Sequence, residues 1–309
     1  MKSHSDDAND SVFPGDGQAV KAPCGSALPR LVTPSWLLVA IGVSITAPLT
    51  LYWWNLITAG SITFDWDVYL EASRRALAGS PDLYEQNAEY GFRHSPVFAY
   101  LVSLFAWLGT TGIRLVTLAA ALALPTWPMR LLALASWPFA MDLQHGALLT
   151  IIVCVAAWAL RGSRVGGISF VIIALLSPRV LMFPILAYLL WKQQWLRVPA
   201  VALAVVHALV VVASGYADDW IGALLAVGTD QVGTLLNLSP SRFLGAWWLV
   251  AGVPLGIWLT VRGHPGFAAL AMSPYVLPHY LLLLLLELPD RIKTSDVGER
   301  TAPGEAARA

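Results

Sequence analysis

The chain is poor in charge. Only 12% of its residues are Asp, Glu, Lys or Arg, about half the roughly 25% of a soluble globular protein. Basic and acidic residues are equal in number, so the formal net charge is zero. No basic block stands out, which leaves nucleic-acid binding without electrostatic support. Cysteine is nearly absent. Cys24 lies in a polar tail and Cys154 in an apolar run, an arrangement that argues against a disulfide framework. No internal repeat and no cleavable signal peptide are evident.

Apolar residues fill the gap. They make up 57% of the chain, and the mean hydropathy is +0.64. This composition predicts an all-α, polytopic integral membrane protein in a lipid bilayer. The 14 Trp and 9 Tyr suit interfacial belts. Residues 1–33 read as a disordered cytoplasmic tail, 34–289 as the transmembrane domain, and 290–309 as a second disordered cytoplasmic tail.

Apolar runs recur at about 35–54, 95–109, 115–126, 131–141, 147–160, 165–177, 180–191, 198–214, 217–228, 243–261 and 266–288. A full span needs about 20 apolar residues. Several runs are shorter, as tilted, broken or re-entrant segments would be. Eight to ten crossings are expected. Segment 127–146 carries Arg130 and Asp142 and reads as a re-entrant outer piece. The last run is expected to break at Pro274 and Pro278. Basic loops at Arg161–Arg164, Lys192–Arg197 and Arg262 mark the inner side. Segment 55–94 then falls outside, together with Pro178-Arg179 and 218–242.

Segment 55–94 is polar, acidic and Tyr-rich, and it opens on Phe64-Asp65-Trp66-Asp67-Val68-Tyr69. Asp67 to Ala78 has helix character. Glu71 and Arg75 form an i, i+4 pair, Gly79 suits the position after the helix end, and Pro81 blocks continuation. Tyr69, Ala72, Ser73 and Ala76 share a face, as on a helix lying along a membrane surface. Asp65 or Asp67 could be the helix N-cap. Equally, Asp65 could be a general base in a partly apolar site. Asp65-Trp66-Asp67 also matches a metal-binding Asp-x-Asp, but two carboxylates alone are a weak metal signal. Arg93, Arg179 and Arg242 are candidates to hold a phosphate through paired donors, or simply to snorkel at the interface.

Four elements together resemble a known family. Asp65-x-x-Val68-Tyr69, Ala76-Leu77-Ala78-Gly79, Asp82-Leu83-Tyr84 and Phe92-x-x-Ser95-Pro96 form the first. Gln144-His145-Gly146 ahead of an apolar helix is the second. Pro178-Arg179, followed by a helix ending in Trp191-Lys192-Gln193-Gln194-Trp195, is the third. Ser273-Pro274 with His279-Tyr280 and a Leu run is the fourth. They resemble the polyprenyl-phosphate-mannose-dependent mannosyltransferases of glycosyltransferase family 87, bacterial multi-spanning enzymes with a GT-C fold. The chain departs from that pattern at His94-Ser95-Pro96, where the family carries aromatic-Pro-Pro. It departs again at Ser177-Pro178-Arg179, where the family carries Lys-Pro.

The resemblance implies a GT-C-like helical bundle at the cell membrane, with its active site on the extracytoplasmic face. It implies transfer of a hexose, mannose by analogy, from a polyprenyl-phosphate donor to a cell-envelope glycan or glycolipid acceptor. Asp65 takes the place of the catalytic carboxylate, with Asp67 secondary, and the transfer inverts. Tyr69, Arg93, His94, Gln144, Arg179, Arg242, His279 and Tyr280 are the expected substrate-binding residues. No cofactor and no metal is implied. The rival readings are a transporter or flippase for a lipid-linked or polar solute, or an inactive scaffold. The absence of a repeat and the gathering of charge on one face speak against the transporter.

Overall fold

The computed structural model describes residues 64–84, 91–225, 237–245 and 247–288. The two tails, the first apolar run at 35–54 and the remainder of segment 55–94 lie outside them. Every regular element among the described residues is helical.

The first described helix, α1 (Phe64–Leu77), is amphipathic. Trp66, Tyr69, Ala72, Ser73 and Ala76 are buried along one face. Glu71 on the exposed side pairs with Arg74 at 2.8 Å and Arg75 at 3.0 Å. Gly79 stops the helix at a φ of +63°. Ser80 N–H donates back to the Arg75 carbonyl and Gly79 N–H to that of Ala76, a Schellman closure that suits glycine. Two expectations need correction here. The helix begins three residues before Asp67, so Asp65 lies inside its first turn and not ahead of it. Its apolar face packs onto protein, chiefly against the next helix, and not along a membrane surface.

That next helix, α2 (Pro96–Phe105), starts with proline at its first position and Ser95 Oγ accepting from Val97 N–H, a sequence-legible start. A short 3-10 turn joins it to α3 (Gly109–Leu122). Pro96–Leu122 is thus one 27-residue apolar stretch, long enough to span a membrane, where the sequence suggests two runs. The chain continues through α4 (Trp127–Leu134), α5 (Trp137–His145), α6 (Leu149–Leu160), α7 (Arg164–Leu176) and α8 (Met182–Lys192). Then come α9 (Arg197–Ala213), α10 (Ala217–Leu225), the short α11 (Ser241–Leu244), α12 (Trp247–Arg262) and α13 (Pro265–Met272), with a 3-10 segment at Pro278–Glu287.

Gln194–Ala213, which contains α9, is the second full-length candidate span. The α5–α6 pair would make a third, bent by 119° as a broken span or a re-entrant loop. Four further apolar helices, at 164–176, 182–192, 247–262 and 278–287, are shorter than a span. Eight to ten full-length crossings therefore do not appear among the described residues. Proline and sharp turns cut the apolar runs before they reach span length, as at Pro274 and Pro278, where the expected break does occur. Such breaks are tolerated at membrane depth where neighbouring groups satisfy the freed backbone. Asn237 and Ser239 do this for segment 273–276. Asn237 donates to the Pro274 carbonyl and accepts from Val276 N–H, and Ser239 Oγ donates to the Ser273 carbonyl.

The interior has two apolar clusters. One joins α6, α7, α8 and the 3-10 segment around Phe170, Ile185 and Leu283. The other joins α1 to α2 and α3, and includes Tyr84, Phe92 and Tyr216. Gly252 and Gly256, four apart on α12, allow close contact with α13. A Cβ at 252 would stand 2.6 Å from the Ala271 carbonyl oxygen, the small-residue packing that membrane helices favour.

Candidate functional site

Where the two clusters meet, four pieces of chain converge: the first turns of α1, the α5–α6 break, the 177–181 turn between α7 and α8, and the start of the 3-10 segment. Arg179 is the hub. Its Nη2 donates to the Tyr69 hydroxyl at 3.2 Å and to the Ala147 carbonyl at 3.4 Å. Tyr280 also lies close enough for its charge state and that of the guanidinium to act on each other. Burial by itself weakens a cation, but Tyr280, Tyr69, Asp65 and Asp142 outweigh it and raise the Arg179 pKa. Arg179 therefore stays charged, with several of its five N–H donors left for a ligand.

Two carboxylates flank Arg179, and they are differently committed. Asp142 is fully buried. Its Oδ1 accepts from Leu149 N–H at 3.0 Å, and its Oδ2 from Thr150 N–H at 2.7 Å and the Thr150 hydroxyl at 2.5 Å. Asp142 thus caps α6 from the far side of the 119° bend and satisfies N–H groups that a helix start leaves open. Two of the three residues at the bend have left-handed backbones, Gly146 at φ +67° and Leu148 at φ +64°. Leu148 is the non-glycine exception among the described residues, and such a conformation persists only where surroundings enforce it.

Asp65, by contrast, accepts no hydrogen bond among the described residues. It keeps a strip of exposed surface but is crowded enough for desolvation to push its carboxyl above the ordinary carboxylate range; Arg179 opposes this more weakly. A desolvated, uncommitted carboxylate is a proton acceptor in search of a donor. Tyr69, beside it, is held protonated by burial and by the Asp65 charge. Its ring stands edge-on to His94 at 5.0 Å and to Phe98 at 5.1 Å. Burial, then Arg179, push the His94 pKa well down, so the imidazole is neutral and Arg179 remains the local cation.

Next to Arg179 lies a cavity of about 80 Å³. Tyr69, His94 and Arg179 give it a polar side, while Phe98, Leu148, Ile152 and Ile173 make most of its wall apolar. Most of its surface is apolar, with Arg179 at the polar edge.

Of the residues singled out by sequence, Asp65, Tyr69, His94, Arg179, His279 and Tyr280 gather here. Asp67 is exposed on α1. Arg93 presents its carbonyl to the Trp220 indole N–H at 3.3 Å. Arg242 stacks over the Phe243 ring at 5.5 Å and is not among the groups acting on Arg179. Gln144 is half-buried beside His145, and no hydrogen bond joins its amide to the cluster. Sequence reasoning missed Asp142, Thr150 and Trp66 as parts of the site. The Asp142 bonds reach seven and eight residues ahead, outside the three-residue spacing by which a capping box is recognised.

Aromatic contacts brace the site from the α10 side. Tyr84 OH donates to the His94 carbonyl at 2.9 Å, and Tyr216 OH to that of Ser80 at 2.8 Å. No three His, Cys, Asp or Glu side chains gather closely enough among the described residues to hold a metal ion. Comparison with known protein families, with characterised proteins and with solved structures finds no match.

Proposed function

We propose that this chain is a membrane glycosyltransferase that moves a hexose from a polyprenyl-phosphate donor to a cell-envelope glycan or glycolipid. The observation that carries the reading is the charged Arg179 at the edge of an apolar cavity, with the uncommitted Asp65 carboxylate close by. An amphiphile with an anionic head fits such a space: its phosphate pairs with the guanidinium, and the first carbons of its tail take the apolar wall. Mannose is the sugar suggested by the resemblance of the four sequence elements to family 87.

In this mechanism Asp65 accepts the proton of an acceptor hydroxyl as that oxygen bonds to the anomeric carbon. The bond from that carbon to the phosphate oxygen breaks, and polyprenyl phosphate leaves with the electron pair. Arg179 stabilises the charge that develops on the leaving group. The leaving group needs no protonation, so one carboxylate suffices where a glycosidase uses two. A single displacement inverts the anomeric centre.

The test is transfer of labelled mannose from polyprenyl-phosphate mannose into a glycolipid extract by membranes containing the protein. Transfer should depend on Asp65 and be lost in Asp65→Asn. Full transfer by that variant would refute the assignment of the base.

A further inference from the structure

Two buried polar atoms at this site have no hydrogen-bond partner among the described residues: the Trp66 indole N–H and His279 Nδ1. Trp66 and His279 are each 2% exposed. Buried polar groups in folded proteins are nearly always paired, so each exception calls for a reason. An orphan donor and an orphan ring nitrogen in one cluster are what a hydroxyl-bearing ligand would satisfy.

Their placement relative to Arg179 is specific. His279 adjoins Tyr280, which lies close to Arg179, and the two rings stand 4.8 Å apart, edge to face. The Arg179 charge also acts on His279. On the other side, Trp66 follows Asp65 in the chain, and its ring stands 6.3 Å from that of Tyr69. Gly146 closes the circle. A Cβ there would stand 2.9 Å from Trp66 Cβ, so glycine lets the first turn of α1 press onto the α5–α6 break. The neighbouring His145 ring stacks on His279 at 6.2 Å. Trp66 and His279 thus belong to the immediate surroundings of Asp65 and Arg179.

In a glycosyl phosphate the sugar is one bond from the phosphate. With the phosphate on Arg179 and the anomeric carbon within reach of an Asp65-activated oxygen, the sugar ring falls among these side chains. We infer that Trp66 and His279 form the subsite for the hydroxyls of the transferred sugar, the indole N–H donating one hydrogen bond and the imidazole completing a second. The inference rests on the transferase reading and adds to it which residues select the sugar. A site built to bond a hydroxyl rejects an analogue lacking it far more strongly than an apolar pocket does.

The experiment uses the full chain, purified in detergent, and two probes: polyprenyl phosphate and polyprenyl-phosphate mannose. Trp66→Phe keeps the aromatic bulk and removes the N–H; His279→Phe removes the ring nitrogens. Each variant should bind the mannosyl lipid about tenfold more weakly than wild type, the order of one hydrogen bond. Each should bind the sugar-free lipid phosphate within about twofold of wild type, on the same energy scale. Mono-deoxy mannosyl lipids supply a second reading on unmodified protein. At least one should lose about tenfold with wild type and nothing further with Trp66→Phe, as a coupled pair requires. Equal weakening for both lipids, or unchanged binding of the mannosyl lipid, would overturn the subsite while leaving the transferase reading standing. Failure of wild type to bind either lipid would overturn the transferase reading and the subsite with it.

Discussion

Replacing Asp142 with alanine should destabilise the fold by about 3–5 kcal/mol, the usual cost of removing one partner of a buried charged network. The figure can be built from the structure. Asp142 accepts three hydrogen bonds, from Leu149 N–H, Thr150 N–H and the Thr150 hydroxyl. Each bond to a charged acceptor contributes roughly 1.5–3 kcal/mol. Desolvation of the carboxylate offsets several kcal/mol of that. The alanine variant recovers the desolvation but strands three buried donors at the start of α6. At roughly 2–4 °C per kcal/mol for a chain of this size or smaller, the melting temperature should fall by about 10 °C. Asp65→Ala is the internal control. It removes a carboxylate with no hydrogen bond to lose among the described residues, so it should cost far less stability than Asp142→Ala. The assay is thermal unfolding of detergent-purified protein, followed by tryptophan fluorescence. An Asp142→Ala protein melting within about 2 °C of wild type, or an Asp65→Ala protein losing as much as Asp142→Ala, would refute the division of labour between the two carboxylates.

Three further outcomes follow from the same geometry. Burial raises the Asp65 pKa, so transfer should fall as pH drops, along a limb lying above the ordinary carboxylate range; a pH–rate profile with its acidic limb inside that range would contradict this. The sign for stability is the reverse. The folded chain holds this proton more tightly than the unfolded chain, so the Asp65 contribution is fully present at low pH and is lost as pH rises through the folded-state pKa. Melting curves of Asp65→Asn should lack that slope. Arg179→Lys keeps the charge but loses the planar fork that reaches Tyr69 and Ala147. Binding of polyprenyl phosphate should weaken at least tenfold, about the worth of one charge-assisted bond, and unchanged affinity would remove Arg179 from the phosphate site. Gly146→Ala meets both a left-handed backbone and Trp66 Cβ at 2.9 Å. It should cost about 1–3 kcal/mol and shift the Trp66 fluorescence, whereas a silent substitution would show the α1 contact to be loose.

Local features of this fold were readable from the sequence, and long-range ones were not. The α1 helix, its Glu71–Arg75 pair, its Gly79 stop and the Ser95-Pro96 start of α2 all obey rules that act within a few residues. The break at Pro274 and Pro278 is equally local. The site itself depends on contacts with no such pattern. Arg179 and Tyr69 are separated by 110 positions, and Asn237 and Pro274 by 37. Loop charge puts Asp65 and Arg179 on one face, and the resemblance adds His279 and Tyr280, but neither gives the contacts among them. Arg242 shows the limit of placement by face: falling outside makes it a phosphate candidate beside Arg179, yet of the two Arg179 joins the cluster while Arg242 stacks over Phe243. The buried face of α1 was also legible, but not what covers it, because an amphipathic pattern is the same against lipid and against protein.

In the proposed reaction Asp65 and Arg179 carry out transfer from a lipid-phosphate sugar. Its most direct test is release of polyprenyl phosphate by the purified protein, incubated with polyprenyl-phosphate mannose and a mixed glycolipid extract, beside Asp65→Asn. Wild type should release polyprenyl phosphate and the variant should not, with both proteins binding the donor. Equal release by the two proteins, or donor binding by neither, would contradict it.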